Sequence, residues 1–242
     1  MTAQKDARGG HGWLFTALRA SSHNVLHITS KLLFLQDMTI LTIFGLVVFI
    51  YSVVIHEVSH GLAAQALGDD TARLMGRLSL NPLKHIDIFG SIILPLLLLL
   101  AGSPFVFGYA KPVPYDPRNL RDQKYGPIKV AMAGPASNIF IALVFGLMLR
   151  FFPAFLPATI IPQLFAMIVA INLVLAIFNL FPIPPLDGHW VLMTLLPTRY
   201  HAFKAWLYRY SIFLFLIFLI FVYPIIFPII PWLFHLITGL NM

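Results

Sequence analysis

A run long enough to cross a bilayer, which takes about 20 apolar residues, extends from Met38 to Leu67 and carries His56-Glu57-Val58-Ser59-His60 in its interior. Residues four apart lie on one helix face, so His56 and His60 can offer two imidazole nitrogens to a single Zn²⁺. Glu57 sits one step round the helix, within reach of a water at the metal, which is the general-base position in the H-E-x-x-H pattern. Glu57 is the only glutamate in the chain, and with 9 histidines in 242 residues the pattern arises by chance about once in 700 such compositions. A polar cluster that serves only helix–helix hydrogen bonding is the alternative source of such a pattern. The flanks Leu46–Ile55 and Leu62–Leu67 are apolar, and ionisable groups in that setting are costly unless function retains them.

At 59% hydrophobic and 10% charged residues, with a mean hydropathy of +0.86, the chain is not an ordinary soluble domain. It reads as an all-α polytopic membrane protein with about five to six transmembrane helices and short membrane-embedded strand-like or re-entrant segments. The formal charge of +7 is spread between apolar runs. That pattern fits juxtamembrane lysine and arginine rather than a nucleic-acid partner. With no cysteine, disulfides, thiolate metal sites and a cysteine nucleophile are excluded, which leaves histidine and carboxylates as ligands. Residues 1–38 hold no continuous apolar stretch of the signal-peptide kind.

Three regions follow. Residues 1–38 form a leader, either an amphipathic helix on the membrane surface or a flexible segment. Residues 39–200 form a catalytic membrane core, and 201–242 a C-terminal transmembrane segment with a tail broken at Pro224, Pro228 and Pro231. Within the core, Leu74–Leu80 partly alternates apolar and polar residues, which predicts a strand rather than a helix, stopped by Asn81-Pro82. A second apolar run covers Ile88–Phe107, and the prolines of the following 109–117 segment forbid regular helix there. Further runs cover Ile128–Phe152 and about Thr159–Phe181. Asn172 and Asn179 in the latter are seven apart and share a helix face; for Asn172 interhelical hydrogen bonding is the expected role.

After this run stands Pro182-Ile183-Pro184-Pro185-Leu186-Asp187-Gly188-His189. Backbone so rich in proline must pack in protein or line a watery cavity, because lipid cannot satisfy its carbonyls. A catalytic zinc takes three protein ligands and keeps one open position, and Asp187 is the natural third ligand. The alternative is that Asp187 caps a short helix over Gly188–Leu196. His85 and His189 are further histidines in non-helical surroundings.

These residues resemble the site-2 protease family of intramembrane zinc metalloproteases, in its short prokaryotic form without a PDZ domain. The resemblance rests on His56-Glu57-Val58-Ser59-His60, on Gly134-Pro135-Ala136-Ser137-Asn138, and on Asn179-Leu180-Phe181-Pro182 running to Leu186-Asp187-Gly188. It implies that His56, His60 and Asp187 bind one catalytic Zn²⁺ per chain. Glu57 activates the water, and Asn179 holds the substrate or the oxyanion. Leu74, Gly76, Leu78, Leu80 and Asn138 are expected to bind substrate, a transmembrane protein or signal peptide within the lipid bilayer. A zinc-binding membrane protein without catalysis, or a metal transporter, is the rival reading. Oligomeric state is left open. One difficulty is geometric: His56 lies about 25 Å along its helix at 1.5 Å per residue, whereas Asp187 follows a span that runs back to the starting side. The two meet only if the first span starts late or if Pro182–Asp187 folds back.

Counting cations on alternating sides of the runs places 12 of the 16 lysines and arginines with the N-terminus, the 109–129 loop and the 183–209 segment. The N-terminus is therefore expected in the cytoplasm, and the resemblance implies the plasma membrane of a prokaryote. Since the chain has no native cysteine, single introduced cysteines report this directly. A cysteine beside Arg118 should react with an impermeant thiol reagent only from the cytoplasmic side, and one beside Phe155 only from the opposite side.

Overall fold

The structure, a computed structural model, describes residues 10–102, 108–152 and 160–242, with side chains from Met38 onward. Its ordered elements are helical, and no strand occurs among the described residues. Helix α1 runs Gly10–Ala66, α2 Thr71–Leu74, α3 Leu94–Leu100, α4 Gly126–Phe151 and α5 Ile161–Asn179. Short helices follow: α6 His189–Leu195, α7 His201–Arg209, α8 Ser211–Ile217, α9 Tyr223–Ile226 and α10 Ile229–Thr238. The chain divides into two units, Met1–Phe44 and Gly45–Met242, and the second holds every residue of the candidate site. The expected leader over 1–38 rests on side chains outside the described residues.

Among the described residues, three helices are long and apolar enough to cross a membrane: Met38–Ala66 within α1, α4, and α5. A fourth arises if Thr198–Arg209 and Ser211–Ile226, bent by 70°, form one broken span. The expected five to six spans are therefore not reached among the described residues. The apolar run from Ile88 yields a helix only to Leu100, about 20 Å at 1.5 Å per residue against a hydrocarbon core of about 30 Å. The C-terminal run ends as the short Ile229–Thr238.

Large apolar side chains face outward on these helices, as at Leu46, Phe140 and Ile212, while Ser52, His56, His60, Asn138 and Asn172 are buried. This inside-out distribution suits a lipid solvent, which rewards no outward polar group and requires each inward one to find a partner. The core of the second unit joins α4, α5 and α10 through Ala142, Leu149, Val169, Leu173, Ile230 and Phe234. Gly146 permits the close approach of α4 and α10, since a Cβ there would overlap the Ile237 side chain. Beneath the proline-rich segment lies an aromatic cluster in which Phe178, Phe181, Phe215 and Phe218 surround Leu186.

The strand expected over Leu74–Leu80 is corrected. Leu74 closes α2, and Gly76 takes φ +63°. The Arg77 amide donates to Ala72 O and the Gly76 amide to Arg73 O, each at 2.9 Å. This pair of bonds around a left-handed residue is a Schellman end. The alternation in the sequence reflects a helix terminus and the extended chain leaving it, because Gly76 adopts the left-handed conformation at no steric cost.

At the end of α1 the fully buried Asp69 gathers the chain. Its carboxylate accepts from the Thr71 amide and hydroxyl, from Asn119 Nδ2 at 2.9 Å and from the Asp116 amide at 2.7 Å. Burial acts to raise its pKa, but the donors from Asn119, Thr71 and Asp116 outweigh that and hold it below the ordinary aspartate range. The group is thus more acidic folded than unfolded. Its stabilisation is present above the unfolded pKa and fades as pH falls through the folded one. Asp69→Ala strands several buried donors at about 1–3 kcal/mol each. Thermal unfolding in detergent at neutral pH should show a lower Tm for Asp69→Ala than for wild type, with the gap narrowing under strong acid.

Candidate metal centre

Two helices bring the pieces together. On α1, the four-residue spacing sets His56 and His60 on one face, with ring centroids 4.7 Å apart. Their Nε2 atoms lie 3.1 Å from each other, and Asp187 Oδ2 lies 2.9 Å from His56 Nε2 and 3.2 Å from His60 Nε2. These three form the metal-competent group of histidines and carboxylates among the described residues.

The opposite ring nitrogens decide what this group can hold. His60 Nδ1 lies 2.7 Å from the Val130 carbonyl oxygen, which can only accept, so that nitrogen bears the hydrogen. His56 Nδ1 lies 2.6 Å from Asn138 Oδ1 and is likewise a donor. Neutral imidazole carries one hydrogen. Both Nε2 atoms are then bare lone pairs, facing each other and a carboxylate oxygen with no hydrogen between them. Three acceptors that close repel unless a cation joins them, and two imidazoles with one carboxylate are a catalytic zinc set. The residues therefore fit the metal, with the Nδ1 partners fixing ring orientation.

Asp187 reaches this point because the chain after α5 doubles back. The Gly188 amide donates to Asn179 O at 2.7 Å, and a Cβ at Gly188 would overlap the carbonyls of Leu180 and Phe181. Of the two ways for His56 and Asp187 to meet, the fold-back of Pro182–Asp187 is the one observed. The N-cap of α6 is Gly188 and makes no side-chain cap, so Asp187 faces the imidazoles rather than capping that helix. His189 is buried, and its Nδ1 bonds Leu186 O at 2.6 Å, bracing the turn beside Asp187.

Glu57 Oε2 accepts from the Val113 amide at 2.9 Å, so the proline-rich 109–117 segment holds the carboxylate in orientation. That segment is itself held by Arg77, whose Nη2 bonds the carbonyls of Lys111 at 2.9 Å and Pro112 at 3.2 Å. His85 joins the same tie: its Nε2 bonds Ser79 O at 2.8 Å and its carbonyl accepts from the Lys111 amide. Leu78 packs against Gly61, four residues beyond Glu57 on the same face of α1. Leu74, Gly76 and Leu80 are exposed.

Asn138, expected at the substrate, is instead fully buried behind His56, where its amide serves the imidazole. Asn179 donates to Leu175 O at 3.0 Å and takes Gly188 on its own carbonyl, so its bonds serve the fold-back. Sequence reasoning passed over Val113, Val130 and Arg77, and it assigned no individual role to Gly134. The last had a signal: glycine inside an apolar helix is costly unless another group comes close. A Cβ on Gly134 would overlap His60 Nε2 and lie 2.6 Å from His56 Nε2.

Residues 154–221, which include Asp187, match the model of peptidase family M50. The chain is 37% identical over 185 residues to the Bacillus subtilis protein named "Putative zinc metalloprotease YwhC", covering 74% of this chain and 80% of that one. The chain belongs to peptidase family M50. It is also 31% identical over 146 residues to "Putative zinc metalloprotease Rip2" of Mycolicibacterium smegmatis, covering 60% of this chain and 54% of the relative. No solved structure matches significantly. Membership in this site-2 protease family makes the chain a membrane zinc metalloprotease.

The close approach at Gly134 generates a test. Gly134→Ala should leave the chain folded in detergent while its methyl group occupies the space between the ligand nitrogens. Bound zinc per chain, read by elemental analysis, should fall from about one to a small fraction, since disturbing even the groups that orient metal ligands typically costs about 10–100-fold in metal affinity.

Proposed function

We propose that the chain is an intramembrane endopeptidase that hydrolyses peptide bonds within transmembrane segments or signal peptides of other membrane proteins. One observation carries this reading: three acceptor atoms converge, two of them from His56 and His60 on either side of the sole glutamate in a helix long and apolar enough to span a membrane, and the third from Asp187. His56, His60 and Asp187 hold one zinc ion per chain. When bound, the ion supplies Lewis acidity toward the scissile carbonyl and makes water acidic enough to ionise at about pH 7.

Glu57 takes the proton from the attacking water and passes it to the leaving amine. The Val113 N–H on Oε2 keeps the carboxylate from swinging away, which leaves Oε1 as the oxygen that meets the water. Asn179 exchanges its resting bond to Leu175 O for the developing oxyanion, as a donor that strengthens its hold in the transition state. Asn138 acts from behind His56, without touching substrate. Leu78, seated on Gly61, brings the segment containing Leu74, Gly76 and Leu80 beside the same face of α1, and substrate contacts fall there. A substrate helix hides its peptide bonds in its own i→i−4 hydrogen bonds, so several must open before hydrolysis. The proline-broken segments at 109–117 and 182–187 line the path by which water arrives. The chain sits in the plasma membrane of a prokaryote with its N-terminus in the cytoplasm.

The test separates the base from the ligands. Glu57→Gln should bind zinc as wild type does, while cleavage of a reconstituted transmembrane substrate falls by about 10²–10⁴-fold. Undiminished cleavage by the zinc-loaded variant would sink the assigned mechanism.

A further inference from the structure

A polar path runs behind the metal centre through the interior of α1, α4 and α5. It begins at Ile168 O, a backbone carbonyl that can only accept. Asn172 Nδ2 bonds that carbonyl at 2.9 Å and Ser52 Oγ at 3.0 Å. Those bonds turn Asn172 Oδ1 toward Asn138, whose Nδ2 donates to it at 2.8 Å and to Ser52 O at 3.3 Å. Asn138 Oδ1 is thereby turned to His56 Nδ1, 2.6 Å away. Each step leaves one orientation, because every amide nitrogen is held by an oxygen that accepts. Both asparagines are fully buried, so no bulk water relieves a misplaced amide.

We propose that Asn138 and Asn172 are positioning residues which fix His56 in its Nδ1–H form and so keep its Nε2 lone pair open to the metal. The inference rests on His56 being a ligand. No group on the path changes charge; the path sets only which ring nitrogen bears the hydrogen. Reversal of the Asn138 amide would point Nδ2 at His56 Nδ1 and drive the hydrogen to Nε2. There it would donate to Asp187 Oδ2, now 2.9 Å away, and two of the three ligand atoms would be tied to each other. Reversal would also set Asn138 Oδ1 against Ser52 O and Asn172 Oδ1, three oxygens with no hydrogen among them. Asn172 therefore penalises the wrong orientation from one residue further back.

The path has an internal control. An aspartate at 138 presents oxygen to His56 whichever way it turns, so it needs no Asn172 to orient it. Zinc affinity is measured on the purified full chain by competition with a fluorescent chelator, with thermal unfolding confirming that each variant is folded. His56→Ala is included, and retention of wild-type affinity by it would remove the ligand reading itself. Asn138→Leu should bind zinc about 10–100-fold more weakly, and Asn172→Leu should weaken binding by a smaller factor. In the Asn138→Asp background, where the second carboxylate oxygen already stands against Asn172 Oδ1, Asn172→Leu should cause no further loss of zinc affinity. The proposal is overturned if folded Asn138→Leu keeps wild-type affinity. An equal loss from Asn172→Leu in both backgrounds overturns it too, since that is the mark of packing alone. Should Asn138→Leu fail to fold, the comparison of Asn172→Leu in the two backgrounds decides by itself.

Discussion

Two hydrogen bonds made by the far sides of two imidazoles organise the catalytic unit. His60 Nδ1 on Val130 O and His56 Nδ1 on Asn138 Oδ1 both cross from α1 to α4. They fasten the two helices together and leave both Nε2 lone pairs aimed at one point. Pro135 has no N–H for the Ala131 carbonyl four residues back, so the α4 ladder loses one bond on the turn that carries Val130. Gly134 lets the α4 backbone come against the ligand nitrogens. A glycine that is poor for a helix is therefore what this imidazole-facing turn of α4 uses.

The remaining parts of the centre are supplied by irregular backbone. Asp187 arrives on a turn that folds back on the end of α5 and rests on the aromatic cluster around Leu186. Glu57 is steadied by the Val113 amide, and that amide is placed by a segment whose carbonyls are gripped by Arg77. In lipid such backbone has no other source of partners, so the segments that break helix are the ones that must pack inward. The same requirement explains Asp69, whose carboxylate collects the donors of two loops at the end of α1. Irregularity is thus concentrated around the chemistry, on a scaffold of three long apolar helices.

Periodicity and composition were sufficient where the signal was local. The runs at Met38–Leu67, Ile128–Phe152 and Thr159–Phe181 correspond within a few residues to Met38–Ala66, Gly126–Phe151 and Ile161–Asn179. The expectation failed at Leu74–Leu80, where a short alternation came from a Schellman end and not from a strand. The expected span count goes beyond the three or four spans found among the described residues, because hydropathy measures how apolar a run is and not where a helix stops. For Asn138, residue type alone gave no way to tell an amide that meets substrate from one that meets a ligand's far nitrogen.

By itself the sequence narrowed the chemistry of the candidate centre. A two-histidine, one-glutamate pattern at helical spacing in an apolar run, with a carboxylate in a proline-rich break, admits few readings, because lipid makes each of those groups costly. Tertiary structure alone decided which ring nitrogens converge with Asp187 and which face away. That choice depends on acceptors 70 and 82 residues distant, Val130 O and Asn138 Oδ1. A ring hydrogen goes wherever the stronger acceptor stands, and the placement of an acceptor that far along the chain is a property of packing, not of sequence spacing.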